Sequence, residues 1–324
     1  MVCDRGFGIL EAYLISHLSQ RRNGKLDPSI EAAVCRLMSE RRGEAVAIRG
    51  CRSLSGGSIS EAWLVDLLPD GQVVAKINAA HFQTAFELEF QGLDELRAIG
   101  AIRVPEPLAV EKVGNRAILV SEAIGRGSPS PDFFKRFGQH LASLHRLSQR
   151  EPDHRFGYRC DNYLGSARQP NRWCDDWPTF FAKHRLGFQI DWARQQSIGS
   201  RDLFPLVQSV IKRLPAMLAP ATEPPVLLHG DLWSGNYLCD SDGQPVILDP
   251  AVYYGHREAE LGMLLWMGNC PNAFYEAYNK CWPLRTGWRE RAEVYTLYHQ
   301  LNHLNLFGAG YLSCCEATAR RLLR

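Results

Sequence analysis

Along the chain the hydrophobic positions change period several times, and each change marks an element. The apolar stretch over 1–18 is broken by Glu11 and His17 and followed by no small-residue cleavage site, which predicts a short helix rather than a leader peptide. Residues 28–40 carry helical spacing through Ile30, Val34 and Leu37, with Asp27 as N-cap and Pro28 in the first turn. From Val46 the period shortens to two. Strands are predicted at 47–49, 62–67 and 72–77, separated by the turns Ser55-Gly56-Gly57-Ser58 and Pro69-Asp70-Gly71. Helical spacing returns over 80–99 through Phe82, Phe86, Leu93 and Leu96, and stops at Gly100. Two more strands, 108–111 and 116–122, flank a Gly114-Asn115 turn, and 125–131 reads as a linker. The rest is mainly helical: 132–148, 178–197, 202–218, 258–268, 271–281 and 288–306.

This order gives an α+β chain in three parts. Residues 1–45 form an N-terminal helical extension. Residues 46–124 form a small antiparallel-sheet lobe with one main helix, and 125–324 a larger, mostly helical lobe. With 324 residues, 45% hydrophobic and 22% charged, the composition is that of an ordinary globular chain. A net charge of +2 is too mild to imply nucleic acid or a membrane surface as partner, and no apolar run approaches a bilayer span. The ten cysteines form no CxxC pair and no regular spacing, which argues against a zinc site or disulfide framework and for a reducing, cytoplasmic setting.

The chemistry concentrates in His229-Gly230-Asp231-Leu232-Trp233-Ser234-Gly235-Asn236, between the apolar runs 226–228 and 237–239. Phosphoryl transfer needs a carboxylate to accept the hydroxyl proton and hard oxygen ligands to hold Mg²⁺ against phosphates. An Asp followed five residues later by an Asn has the spacing of the kinase catalytic loop, which makes Asp231 the candidate base and Asn236 a candidate metal ligand. Asn236 opens one strand, Ser241-Asp242-Gly243 is a turn, and 245–249 is a second strand. An antiparallel hairpin would bring Asp249 beside Asn236 as the second metal ligand. In the small lobe, Lys76 lies in the apolar strand 72–77, where a charge is costly unless paired. A phosphate and a carboxylate would supply that pairing; Glu89 on the next helix is favoured over Glu87. The turn at Gly56, Gly57 and Ser58 would let backbone N–H groups approach phosphates. Together these features describe a two-lobed, protein-kinase-like fold.

On these residues the chain resembles the fructosamine-3-kinase / ketosamine-3-kinase family, relatives of the aminoglycoside phosphotransferases. The likeness covers roughly residues 46–324. It rests on HGDLWSGN at 229–236, DPAVYYGHRE at 249–258, WCDDWPTFFAKHRL at 173–186, and Tyr311 with the preceding LNHLN at 301–305. The resemblance implies ATP- and Mg²⁺-dependent phosphorylation of the 3-hydroxyl of a ketosamine, such as a fructosamine or ribulosamine, on a free amine or a glycated protein lysine. In the family this destabilises the adduct and leads to deglycation. It further implies that Lys76 binds the phosphates and Glu89 orients it, and that Glu122, Ala123 and Ile124 form the hinge that meets adenine. Trp233, His303 and Asn305 become candidates for lining the sugar pocket, a Trp face suiting the apolar side of a sugar. Where some relatives carry a phosphate-loop cysteine proposed as a redox switch, this chain has Ser58.

Other small-molecule kinases of the same fold (aminoglycoside, choline or homoserine type) are the alternative, since fold does not fix substrate. A pseudokinase would be expected to lose Lys76, Asp231, Asn236 or Asp249; none is lost. Asp175 and Asp176 are read as a helix cap before Pro178 rather than as a site for an amine.

Overall fold

The computed structural model describes residues 25–54, 59–150, 153–221 and 223–324. The helix expected over 1–18 and the turn at Gly56, Gly57 and Ser58 lie outside them. The chain divides into two compact units, one running to Phe90 with Pro107–Ala123 added, the other comprising Gln91–Glu106 and Ile124–Arg324.

In the first unit, helix α1 (Pro28–Arg42) precedes an antiparallel sheet of β1 (Ala47–Leu54), β2 (Glu61–Leu68), β3 (Gln72–Ala79), β4 (Pro107–Val113) and β5 (Arg116–Glu122). The spatial order is β1-β2-β3-β5-β4. Asp27 caps α1 by accepting the Ser29 N–H at 2.8 Å, and Gly43 ends it at φ 71°, a backbone that only glycine adopts cheaply. Alternation then decides which residues meet. Val73, Ala75 and Ile77 of β3, with Ile118 and Val120 of β5, form one buried face under Ile30, Val34 and Met38 of α1. Burying each of these three helix side chains stabilises the unit by about 1.5–3 kcal/mol. The stretch expected to be an extension thus supplies part of this unit's core, and the sheet carries a helix on each face. Ala117 and Leu119 point the other way, against Phe86 of α2 (Gln83–Ile99). Lys76 pairs in register with Leu119, and so emerges on the α2 side of the sheet.

The second unit is built from α3 (Phe133–Leu147), a β6–β7 hairpin (Asn162–Leu164, Ala167–Gln169), α4 (Trp177–Phe181), α5 (Phe188–Gln195) and α6 (Leu203–Leu218). Then come the short strands β8 (Val226–Leu228), β9 (Tyr237–Cys239), β10 (Pro245–Ile247) and β11 (Tyr253–Gly255). Four helices finish the chain: α7 (Glu258–Met267), α8 (Asn272–Cys281), α9 (Trp288–Phe307) and α10 (Leu312–Leu322).

Two departures from the sequence pattern have local causes. The helix expected over 178–197 widens into a π turn at Ala182–Gly187 between α4 and α5. Gly187 suits that turn, since a Cβ there would lie 2.7 Å from the Ala182 carbonyl oxygen. The unforeseen α10 buries Cys315, Thr318 and Ala319, small side chains that leave little hydrophobic period to read. Asp176 caps α4 by accepting the Thr179 N–H at 2.8 Å, with Pro178 in the first turn. No helix among the described residues is long and apolar enough to cross a membrane, and their cysteines are all free.

Candidate active site

In the first unit, Lys76 Nζ donates to Glu89 Oε1 at 2.5 Å, with both side chains only 18% exposed. Glu87 instead accepts from Gln83 one helical turn away. On the same strand, Asn78 donates to Ile59 O and to Ser60 Oγ, each at 3.0 Å, fixing the chain at 59–60. Glu122 ends β5 opposite Val73; Ala123 is the last residue of the first unit and Ile124 the first resumed residue of the second.

In the second unit, two two-stranded ladders frame a pair of facing loops. β8 pairs antiparallel with β11, and β9 with β10. The chain leaves β8 through 229–236 into β9, turns, and returns from β10 through 248–252 into β11. Backbone bonds tie the loops together: Leu248 N–H donates to Asn236 O at 2.9 Å and Ala251 N–H to His229 O at 2.8 Å. Gly230 (φ 84°) lies so close to the Ala251 carbonyl oxygen that a Cβ would meet it at 2.1 Å. Any other residue there would force the loops apart.

Several polar groups of the first loop have defined partners. His229 is fully buried; its Nε2–H donates to Leu248 O at 2.7 Å and its Nδ1 accepts the Asp231 N–H at 3.2 Å, which selects the neutral Nε2–H tautomer. Asn236 donates from Nδ2 to Asp231 O at 2.8 Å and to Asp231 Oδ2 at 3.2 Å. Its amide oxygen therefore remains the acceptor side of the group. Trp233 folds its ring over Gly235, where a Cβ would lie 2.4 Å from it. On the opposite loop Asp249 adopts φ 57°, a left-handed backbone uncommon for a residue with a Cβ but several-fold enriched in Asp.

Glu260 of α7, absent from the sequence reading, closes the base of the loop. It is 2% exposed and accepts the His229 N–H at 2.6 Å and the Gly230 N–H at 3.2 Å. Behind it stands His145, fully buried, 3.8 Å away through Nε2 and bonded to Tyr278 through Nδ1 at 2.8 Å. Burial holds the His145 pKa below its ordinary value, only partly offset by Glu260. Glu258, also in the first turn of α7, forms a buried bidentate pair with Arg291 at 2.6 and 2.8 Å. The available signal was that α7 is otherwise apolar all round, as a buried helix is, so that its two first-turn carboxylates need partners.

The candidate sugar residues fall in different settings. Asn305 is buried, and its Nδ2 donates to Gln189 O at 2.9 Å and Gln189 Oε1 at 2.7 Å, a bridge between α9 and α5. His303 donates from Nδ1 to His299 O at 2.9 Å and sits among Trp266, Phe307 and Tyr311, with ring centroids 4.9, 5.3 and 5.1 Å away. Trp266 adjoins Met267, whose carbonyl accepts the Ser234 N–H of the first loop at 3.0 Å. His303 thus belongs to an aromatic cluster one bonded step from Trp233, while the Asn305 side chain is committed to helix packing.

A separate open cavity of about 590 Å³ is lined by Glu95, Arg150, Tyr158, Arg159, Trp173 and Tyr254 among others, and by none of these site residues. Its charges are paired, Arg159 with Glu95 and Arg150 with Asp153.

Among the described residues no group of three or more His, Cys, Asp or Glu side chains is arranged to hold a metal. A carboxylate, an amide oxygen and no closed protein cage are what Mg²⁺ takes when substrate phosphates complete its octahedron.

Comparison with known proteins points to one family. A family model described as fructosamine kinase matches residues 30–324. A protein of Synechocystis named probable ketoamine kinase is 38% identical over 299 residues, covering 92% of this chain and 98% of its own. The chloroplastic protein-ribulosamine 3-kinase of rice (subspecies indica) is 39% identical over 283 residues, 87% of this chain and 81% of its own. The crystal structure of a Thermobifida fusca protein described as a candidate fructosamine-3-kinase aligns with a TM-score of 0.77 at 31% identity, over 90% of this chain and 99% of that one. The aminoglycoside phosphotransferase APH(4)-Ia, at 14% identity and a TM-score of 0.62, shares the fold alone.

Proposed function

The chain belongs to the fructosamine kinase family, and on that premise we propose that it transfers the terminal phosphate of ATP to the 3-hydroxyl of a ketosamine. The acceptor is a fructosamine or ribulosamine on a free amine or a protein lysine, and the product is the unstable 3-phosphate from which the amine is released. The observation that carries the reading is the facing loop pair, in which Asp231, bonded to Asn236, and Asp249 project from backbones tied to each other.

In this mechanism the Asp231 carboxylate accepts the proton of the attacking hydroxyl as its oxygen bonds phosphorus and ADP departs. The Asn236 amide donates to Oδ2 of that carboxylate and so orients it. Asn236 and Asp249 would hold Mg²⁺, which when bound neutralises phosphate charge. Lys76, held by Glu89, meets the phosphates of ATP, and the backbone of Glu122 to Ile124 receives the adenine. Trp233 offers its face to the sugar, beside the His303 cluster. The Asn305 amide acts through Gln189 on the helices behind it.

The test is a panel of fructosamines, ribulosamines, erythrulosamines and aminoglycosides with labelled ATP. Incorporation of phosphate into ketosamines, with aminoglycosides inert, is the expected result. Turnover confined to aminoglycosides would overturn it.

A further inference from the structure

Segment 249–252 bears a metal-binding role in the reading above yet has no secondary structure of its own, so the carbonyls of Ala251 and Val252 need partners from elsewhere. Buried amides from the β6–β7 hairpin take them up. Asn162 donates from Nδ2 to Val252 O at 2.8 Å, and Gln169 donates from Nε2 to Ala251 O at 3.1 Å. These two amides are themselves oriented. Gln169 Nε2 also donates to Asn162 Oδ1 at 2.8 Å, and Asn171 Nδ2 donates to the same oxygen at 2.9 Å. Arg185 donates from Nη2 to Asn171 Oδ1 at 2.8 Å and from Nη1 to Pro170 O at 2.6 Å. The Tyr298 hydroxyl donates to Gln169 Oε1 at 2.8 Å.

The bonds therefore run in one direction. One chain passes from Arg185 through Asn171 and Asn162 to Val252; the other passes from Tyr298 through Gln169 to Ala251. Bonds in series polarise one another and fix each amide's orientation. All five side chains are buried, Asn171 and Arg185 completely. Burying a guanidinium is costly, and among the described residues no carboxylate lies within ion-pair distance of Arg185. It rests instead on aromatic faces, 4.1 Å from the Tyr253 ring centroid and 4.7 Å from that of Phe180. Tyr253 directly follows the segment in question. The same Ala251 carbonyl is pressed against Gly230. The left-handed Asp249 thus leads into a backbone held at two successive carbonyls.

We propose that Asn162, Gln169, Asn171, Arg185 and Tyr298 are positioning residues for Asp249, which set the backbone of 249–252 and thereby the affinity of the metal site. The inference rests on the reading of Asp249 as a metal ligand. None of the five touches the reacting atoms; they act through the two carbonyls. Such supporting bonds are worth about 10–100-fold in metal affinity where their loss has been measured in other proteins.

The experiment measures Mn²⁺ binding by electron paramagnetic resonance in the presence of a non-hydrolysable ATP analogue, beside the KM values for Mg²⁺ and ketosamine. Asn162→Leu and Gln169→Leu should weaken Mn²⁺ binding roughly 10-fold or more, raise the Mg²⁺ KM in parallel, and leave the ketosamine KM within about twofold. Tyr298→Phe, which retains the ring and is expected to fold, should show the same pattern at a few-fold. Thr296→Val removes a part-buried bond to Gly262 O elsewhere in this unit and should lower Tm without moving the Mn²⁺ affinity. Unchanged Mn²⁺ affinity in folded Tyr298→Phe and Gln169→Leu overturns the proposal, as does an equal loss in Thr296→Val. Asp249→Asn separates the two readings. If it keeps Mn²⁺ binding, the metal assignment itself fails; if it loses binding while the network variants keep theirs, only the positioning role fails.

Discussion

The two units present charge in contrasting ways. In the first, Lys76 stands on a regular strand and reaches Glu89 on the next helix, with geometry that follows from alternation and one helical face. In the second, Asp231 and Asp249 sit on irregular loops whose shape depends on Glu260, Gly230 and three buried amides of the β6–β7 hairpin and the residues just after it. A regular element positions a side chain with few helpers. A loop that must hold two acidic groups close together needs its backbone groups tied down one by one, since an unmade buried bond costs about 1–3 kcal/mol.

The sharpest way to break this comparison is to remove the carboxylate from the irregular side. Asp231→Ala should lower kcat by about 10²–10⁴, the usual range for a general base. It should leave ATP binding, followed by quenching of intrinsic fluorescence, close to that of the parent. Retained turnover in a folded Asp231→Ala protein would remove the carboxylate from the mechanism. The regular side should respond differently. Lys76→Met should raise the ATP KM roughly 10–100-fold, from the loss of one charge-assisted bond worth about 1.5–3 kcal/mol, and should spare the ketosamine KM. Because the part-buried Glu89 loses its bond to Lys76, Glu89→Gln in the same background should recover some stability in thermal melts. A double variant no more stable than Lys76→Met would show that the pair does not act as a unit.

The same contrast governs what could be read before the structure was known. Lys76 was legible because a period of two fixes its face, and Glu89 because it lies on the helix that follows. The neighbourhood of Asn236 and Asp249 was legible because an antiparallel hairpin brings the ends of its strands together; the Leu248 to Asn236 bond continues that ladder by one step. The supports were not legible. Glu260 lies 29 residues after Asp231 in sequence, and the amides of Asn162, Gln169 and Asn171 occur on a hairpin too short to show a hydrophobic pattern. Their role follows from burial, and burial of polar groups is what a reading by hydrophobic period assigns to the surface. Asn305 illustrates the converse: a polar residue at the expected site turned out to spend its amide on Gln189.

The smallest expected effect concerns the histidines of α9, and it separates the units by their response to acid. Burial pushes His299 down to about 3, with the neighbouring His303 adding to it, and burial pushes His303 down to about 4. Both are therefore neutral in the folded chain at pH 5, whereas in the unfolded chain they protonate near their ordinary value of about 6.5. Between these limits the unfolded state binds more protons, so stability falls as pH is lowered from about 6.5 toward 4 and 3. Each histidine contributes at most about 1.4 kcal/mol per pH unit, or on the order of 2 °C in Tm for a chain of this size. The ring of His303 is held by Trp266, Phe307 and Tyr311 and by its bond to His299 O, so the acid limb should report the second unit. His303→Gln keeps a donor and removes the titration. Thermal melts from pH 7 to 4.5 should then show a shallower decline than the parent, and parallel declines would mean that His303 is already charged in the folded protein.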